Sequence, residues 1–330
     1  SENLLLSKVQ NDFIGLDTVY TLADGRKTAR VYLDSSASTL MMGAAHDMLE
    51  EFFDHYANSH SLLHFSAKIT TSQYDWAHQR ILSFLGADPK EYTCFFTGSG
   101  TTAGINRLAR VFRDYRKDKD VVLISIMEHH SNDLPHRKHA SKVIHIPLKS
   151  HSSGQPGSLD MKSLQENLEK FQDKINYVAI TGISNVTGII NPIHDIAELA
   201  HSYGALILID GAQMAAHMPV QMSGYSNPAK NIDAFVFSGH KTYVPGSPGV
   251  VVCRKDILTA IEPEELGGGM VEDVFVDKYI IKDYFPDREE AGTPNIPGAI
   301  ALAAAIEIMD RVGMETIYSE EDELVLDTME

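Results

Sequence analysis

The sequence predicts an α/β fold, a mostly parallel mixed sheet flanked by helices, on three observations. Short runs rich in β-branched and aromatic residues alternate with longer amphipathic stretches, the pattern of strands covered by crossover helices. One such unit, from Tyr177 to Asp210, is fully punctuated: Asn191 can cap a helix, Pro192 suits its first turn, and Gly204 can end it before the next strand. The chain of 330 residues is 43% hydrophobic, enough to bury a large core.

Taken in order, Val31 to Asp34 reads as a first strand, followed by helices over Leu40 to Tyr56 and Ser66 to Leu85. The apolar run Thr93 to Thr97 is a strand leading through Gly98-Ser99-Gly100 into a helix from Thr101 to Phe112. Strands follow at Val121 to Ser125 and Val143 to Pro147, then a Gly/Ser/Pro-rich loop over residues 150–158 and a helix from Ser163 to Phe171. After the Tyr177 to Asp210 unit come a loop from Gln221 to Pro228 and strands at Ala234 to Ser238 and Gly249 to Cys253. A segment rich in Gly, Pro and charge runs from Glu262 to Pro297, and the Ala- and Ile-dominated run Gly298 to Arg311 is helical.

Several functions are excluded by composition. A formal net charge of −17 is wrong for a partner held by phosphate neutralisation, so nucleic acid is not expected. No apolar run approaches membrane-spanning length, and the segment from Ser1 to Gln10 lacks the basic flank and long apolar stretch of a secretory signal, so a cytoplasmic protein is expected. Cys94 and Cys253 each sit in an apolar run and read as core thiols rather than a disulfide.

In open parallel sheets ligands sit beyond the carboxyl ends of the strands, so polar residues that close apolar runs are the site candidates. The run Ala205 to Ile209 ends in Asp210, followed by Gly211-Ala212-Gln213. A carboxylate there is costly unless a cation meets it, although an Asp capping the next helix is the plainer reading. The next strand ends in Ser238-Gly239-His240-Lys241. A lysine at that rim can be partly desolvated, which lowers its pKa and frees the amine as a nucleophile; alone, it would be a solvated surface residue. Thr97 to Thr102 offers hydroxyls and a helix N-terminus to a phosphate. His129, in Glu128-His129-His130, can stack on a flat ligand, bind metal, or simply sit in a surface turn.

Together these blocks are specific. Asp-Gly-Ala-Gln, Ser-Gly-His-Lys, Glu-His-His-Ser-Asn, Gly-Thr-Thr-Ala-Gly-Ile-Asn and Ala-Gly-Thr-Pro-Asn, in this order and spacing across roughly residues 30 to 312, resemble the cysteine desulfurase and selenocysteine lyase branch of the class V aminotransferase family. The resemblance implies the large domain of a fold-type I pyridoxal-phosphate enzyme that acts on an amino acid, with desulfurase-like C–S bond cleavage. It implies Lys241 as the Schiff-base lysine, Asp210 as partner of the protonated pyridine nitrogen and His129 stacked on the ring. Asn185 and Gln213 would bond the phenolic oxygen side, and Thr101, Thr102, Ser238 and His240 would hold the phosphate. Thr293 would reach the phosphate of a neighbouring subunit, which implies a homodimer. The expected organisation is an N-terminal segment over residues 1–30, a cofactor-binding large domain over 31–297, and the helical start of a small domain over 298–330.

The chain departs from the family pattern in three places. Its phosphate loop is longer at the start, and Val244 to Gly249 replaces the usual Gly-Pro-Thr-Gly rim. It also ends before the region in which the family places an arginine for the substrate carboxylate and, in desulfurases, a nucleophilic cysteine; Cys94 and Cys253 correspond to neither. Other reactions on the same scaffold, such as transamination, epimerisation or β-elimination, use the same cofactor groups. A non-catalytic or metal-binding protein using His60, His64, His129 and His130 is the remaining alternative, but no Cys or carboxylate set completes such a site, and none is expected.

Overall fold

The computed structural model describes residues 4–59, 61–150 and 156–329. His60 and most of the loop expected over 150–158 lie outside them. At the centre is a seven-stranded sheet in the order Tyr92–Thr97, Gly249–Arg254, Ala234–Ser238, Leu206–Asp210, Ile175–Thr181, Val121–Ser125, Lys142–Ile146. Gly249–Arg254 runs antiparallel to both of its neighbours, and the remaining pairings are parallel. The expected mixed, mostly parallel sheet is therefore present.

Side-chain alternation divides the core into two layers. Leu123, Val178, Ile207, Phe235 and Val250 point to one face, where they meet Ile81, Leu164, Ile196 and Ile300 from four helices. Val122, Ala179, Leu208, Val236 and Val251 point to the other, against Ile105, Leu108 and Phe112 of the helix Gly100–Tyr115. Both faces are covered, which is why the strands read as unbroken apolar runs rather than alternating ones. The helix Ile296–Val312 packs on Gly43–Phe53 and Phe65–Phe84 within the first of these layers.

Two local expectations are corrected. Val31 to Asp34 forms no strand; Val31 is 77% and Leu33 91% exposed. The chain there instead crosses toward the sheet end, where Thr39 N donates to His240 O at 2.9 Å. Asn191 does not cap its helix, which begins at Ile193 with Pro192 in the cap position. The Asn191 amide instead turns inward and donates to Thr181 O at 2.9 Å, satisfying a buried carbonyl at a strand end. Gly204, at φ +70°, closes that helix as expected.

Candidate active site

The parallel strands end at one level, and the residues that close them face a common cavity of about 380 Å³. Its walls include Thr101, Thr102, His129, Asn185, Asp210, Gln213, Ser238, His240 and Lys241. These come from five separate connections that the sheet order brings together: Ser238 to Lys241 follow one strand, Asp210 to Gln213 its neighbour, Asn185 the next, His129 the one after, and Thr101 and Thr102 follow the strand Tyr92–Thr97. Thr293 is the exception. It is exposed, outside the cavity of its own chain, with its hydroxyl 3.5 Å from Asn58 Oδ1.

Asp210 is only 3% exposed, and its Oδ1 accepts from Ala212 N at 3.0 Å. The plain capping reading is thus geometrically real, but it satisfies one lone pair of a buried carboxylate. Burial pushes the acid up to about 6 against the Ala212 bond and the Lys241 charge. Burial likewise holds the Lys241 ammonium below its ordinary value, with Asp210 opposing. His129 and His240 are both held low by burial and then by the Lys241 charge, so both rings are neutral at pH 7. His129 Nδ1 accepts from Ser131 N at 3.1 Å, which places the ring proton on Nε2.

At the start of the helix Gly100–Tyr115, hydroxyls crowd the N-terminus. Ser238 Oγ lies 2.7 Å from both Thr101 N and Thr101 Oγ1, and Thr102 Oγ1 lies 2.6 Å from Ser131 Oγ. This approach depends on glycine. Gly100 has φ +58°, and a Cβ on it would lie 2.6 Å from Ser238 Oγ; a Cβ on Gly249 would lie 2.3 Å from the Gly100 carbonyl oxygen. Backbone N–H, hydroxyls and the positive helix end form a cradle suited to a phosphate. A lysine amine, a buried carboxylate and a neutral imidazole stand around the rest of the cavity, so the donor set fits a phosphorylated aromatic aldehyde.

The sequence reading missed the far wall. Ser36 and Ala37 line the cavity from a loop remote in sequence, and Gln213 Nε2 donates to Ser36 O at 2.7 Å, leaving its second N–H for a ligand. Ser38 Oγ lies 3.2 Å from His240 Nδ1. Nothing local in that loop signals the contact, because it arises only when the chain folds back over the sheet end. Of the histidines considered for metal, His64 caps the helix Phe65–Phe84 by accepting from Ala67 N, and His129 Nδ1 accepts from Ser131 N. The cysteines lie on adjacent strands but in opposite core layers, Cys94 in one and Cys253 in the other, so no disulfide joins them and neither reaches the cavity.

Comparison with known proteins gives the same family. Residues 31–330 match the model of the family described as aminotransferase class-V. A probable cysteine desulfurase of Halalkalibacterium halodurans is 35% identical over 300 residues, covering 89% of this chain and 70% of that protein. A cysteine desulfurase of Synechococcus elongatus is 33% identical, and the match covers 90% of this chain but 46% of that longer protein. Among solved structures, a cysteine desulfurase of Thermococcus onnurineus superposes with TM-score 0.82 at 28% identity, over 98% of this chain and 75% of that one. One from Escherichia coli gives TM-score 0.74 at 29% identity, over 94% and 73%. With a family model that matches residues 31–330 and relatives 33–35% identical over most of this chain, the chain belongs to the class V aminotransferase family.

Proposed function

We propose that the chain is a pyridoxal-phosphate enzyme acting on an amino acid, with cysteine desulfurase-like chemistry. The observation that carries this reading is the meeting in one cavity of the Lys241 amine, the buried Asp210 carboxyl, the His129 ring and the hydroxyl cradle at Thr101, Thr102 and Ser238. When bound, pyridoxal phosphate supplies the electron sink that makes bonds at the substrate α-carbon labile. Asp210, buried and ionised above about pH 6, holds a proton on a ring nitrogen placed against it. Lys241 offers its amine at a lower pH than a solvated lysine would, for covalent attachment and for moving a proton at the α-carbon. His129 presents a neutral ring face, Asn185 and Gln213 present amide N–H groups, and the cradle with His240 receives the phosphate.

The reading also carries a homodimer in which Thr293 serves the neighbouring subunit. Thr293 stands beside Asn58, exposed and outside the cavity of its own chain, where a second copy would have to bring it to the neighbouring site. Among the described residues no helix is long and apolar enough to cross a membrane, and we place the protein in the cytoplasm. Neither Cys94 nor Cys253 serves as sulfur acceptor, since both are buried in the sheet with thiols pushed well up by desolvation. That favours, as a second reading, a class V reaction that needs no thiol from these residues.

Titration with pyridoxal phosphate, followed by visible absorption, tests the site. The parent should develop a bound-cofactor band that Lys241→Ala lacks, and equal bands from both proteins would reject the assignment. Alanine formation from cysteine, with sulfide released when a dithiol reductant supplies the two electrons, then separates desulfuration from transamination, which consumes a keto acid instead.

A further inference from the structure

Behind His129 lies a buried polar chain that the function above does not use. Tyr177 OH lies 2.7 Å from His136 Nδ1, and His136 Nε2 lies 3.0 Å from Asn132 Oδ1. Asn132 Nδ2 donates at 2.6 Å to Glu128 Oε2, and Ser125 Oγ bonds Glu128 Oε1 while accepting from Met127 N at 3.1 Å. His136 and Asn132 are 0% exposed. Burial lowers the His136 imidazole to about 3, so the ring is neutral, with one donor and one acceptor nitrogen. Because Asn132 Oδ1 can only accept, Nε2 carries the His136 proton and Nδ1 accepts from Tyr177. Every donor in the chain therefore points toward Glu128, which stands directly before His129 in the turn after the strand Val121–Ser125.

We propose that Glu128 is a positioning residue of this cavity: its carboxyl group anchors the turn that presents His129 and sets the charge that Asp210 feels. This rests on the reading of the cavity as a pyridoxal-phosphate site. The groups that act on Glu128 are Ser125 at the end of the preceding strand, the Thr181 backbone on the neighbouring strand, Asp210 on the one beyond and Asn132 in the following turn, with His136 and then Tyr177 behind Asn132. No cation stands among them to hold a carboxylate. Burial, with the Asp210 charge adding to it, pushes Glu128 up to about 8, against hydrogen bonds from Ser125, Asn132 and the Thr181 backbone. At neutral pH the Glu128–Asp210 pair therefore keeps one proton, on Glu128, and the negative charge is left on Asp210. In that form Glu128 still accepts from Asn132, and its one proton turns round the bond that Ser125 Oγ donates to the ionised carboxylate.

A glutamine at 128 reproduces this neutral form, with both acceptor and donor, whereas alanine removes the anchor. Imidazole nitrogen NMR of the cofactor-free chain, with His129 assigned by His129→Gln, reads the first half of the proposal. The parent should show a fixed Nε2–H tautomer and a small step near pH 8 as Glu128 ionises. Glu128→Gln should keep the tautomer and lose the step, and Glu128→Ala should lose the fixed tautomer. Dissociation constants for pyridoxal phosphate between pH 6 and pH 9 read the second half. The parent's constant should step as pH passes about 8, Glu128→Gln should show no step, and Glu128→Ala should bind about tenfold more weakly throughout, the worth of one net hydrogen bond. A step near pH 8 that survives in Glu128→Gln overturns the proposal, as does a Glu128→Ala protein with the parent's tautomer and affinity. If Glu128→Ala does not fold, the glutamine comparison decides alone. If the parent binds no pyridoxal phosphate, the cofactor reading fails, and the NMR comparison still decides the role of Glu128.

Discussion

Replacing Asp210 with asparagine should make the cofactor-free protein more stable while removing its function. The carboxyl group is 3% exposed, and burial moves it from an ordinary 3.8 to about 6. An acid whose folded value is raised binds more protons folded than unfolded between those two values, so stability falls as pH rises through that window and stays level above it. At about 1.36 kcal/mol for each pH unit of displacement, the buried charge costs about 3 kcal/mol at pH 8. Asparagine keeps the Oδ1 that accepts from Ala212 N, so the cap survives and the charge cost disappears. Lys241 loses its opposing charge and returns part of the gain. Urea unfolding of both proteins from pH 4 to pH 8, analysed by linear extrapolation, should show stabilities that coincide at the acid end and diverge by up to about 3 kcal/mol above pH 6. Saturating pyridoxal phosphate should reverse the order, because ligand stabilisation grows with affinity and, in the role proposed for it, Asp210 holds the ring nitrogen's proton where the amide does not. An asparagine variant less stable than the parent at pH 8 without cofactor would show that the folded chain favours the buried carboxylate, and would refute this reasoning.

Other outcomes follow from single contacts. Glu290 receives Tyr74 OH at 2.7 Å, His78 Nε2 at 2.9 Å and Phe96 N at 2.9 Å in the interior, anchoring the segment that leads to Thr293. Glu290→Gln should cost about 3 kcal/mol in urea unfolding by breaking a buried charged network, and Tyr74→Phe about 1 kcal/mol; equal and negligible losses would mean the network is open to water. Gly100→Ala should lower stability by about 1–2 kcal/mol through its positive φ and weaken pyridoxal phosphate binding by displacing Ser238, seen by calorimetry. Cys94 and Cys253 should be silent toward a thiol reagent in the native protein and react only in denaturant; rapid native reaction of either would misplace its strand.

The sheet was legible because all its strands except the edge strand Lys142–Ile146 are covered on both faces and therefore appear in the sequence as largely apolar runs, as in Leu206–Asp210 or Ala234–Ser238. Val31 to Asp34 carries the same residue types but has no strand beside it, and strand propensity without a pairing edge yields an exposed extended segment. Asn191 failed as a cap because its side chain turns inward, where its Nδ2 donates to the buried Thr181 carbonyl, a partner visible only in three dimensions, and its Oδ1 is carried away from the helix start. The cavity residues that follow strands were legible for a topological reason: parallel strands deliver their carboxyl ends to one side, so Asp210, Ser238, Lys241 and His129 converge whatever the loops do. Ser36 and Ala37 were not, since their loop reaches the cavity from outside the sheet. Glu128 stood in a recognised block, yet its weight comes from Asn132, His136 and Tyr177, which no spacing rule connects to it.

The central claim is that Lys241 carries the cofactor. Incubation with pyridoxal phosphate, borohydride reduction and peptide mapping should place the pyridoxyl group on Lys241. Lys230, paired with Asp195 and Glu198, and Lys255, bonded to the Pro89 carbonyl oxygen, lie outside the cavity and should remain unlabelled. A label on either of those lysines, or no label at all, would contradict the account.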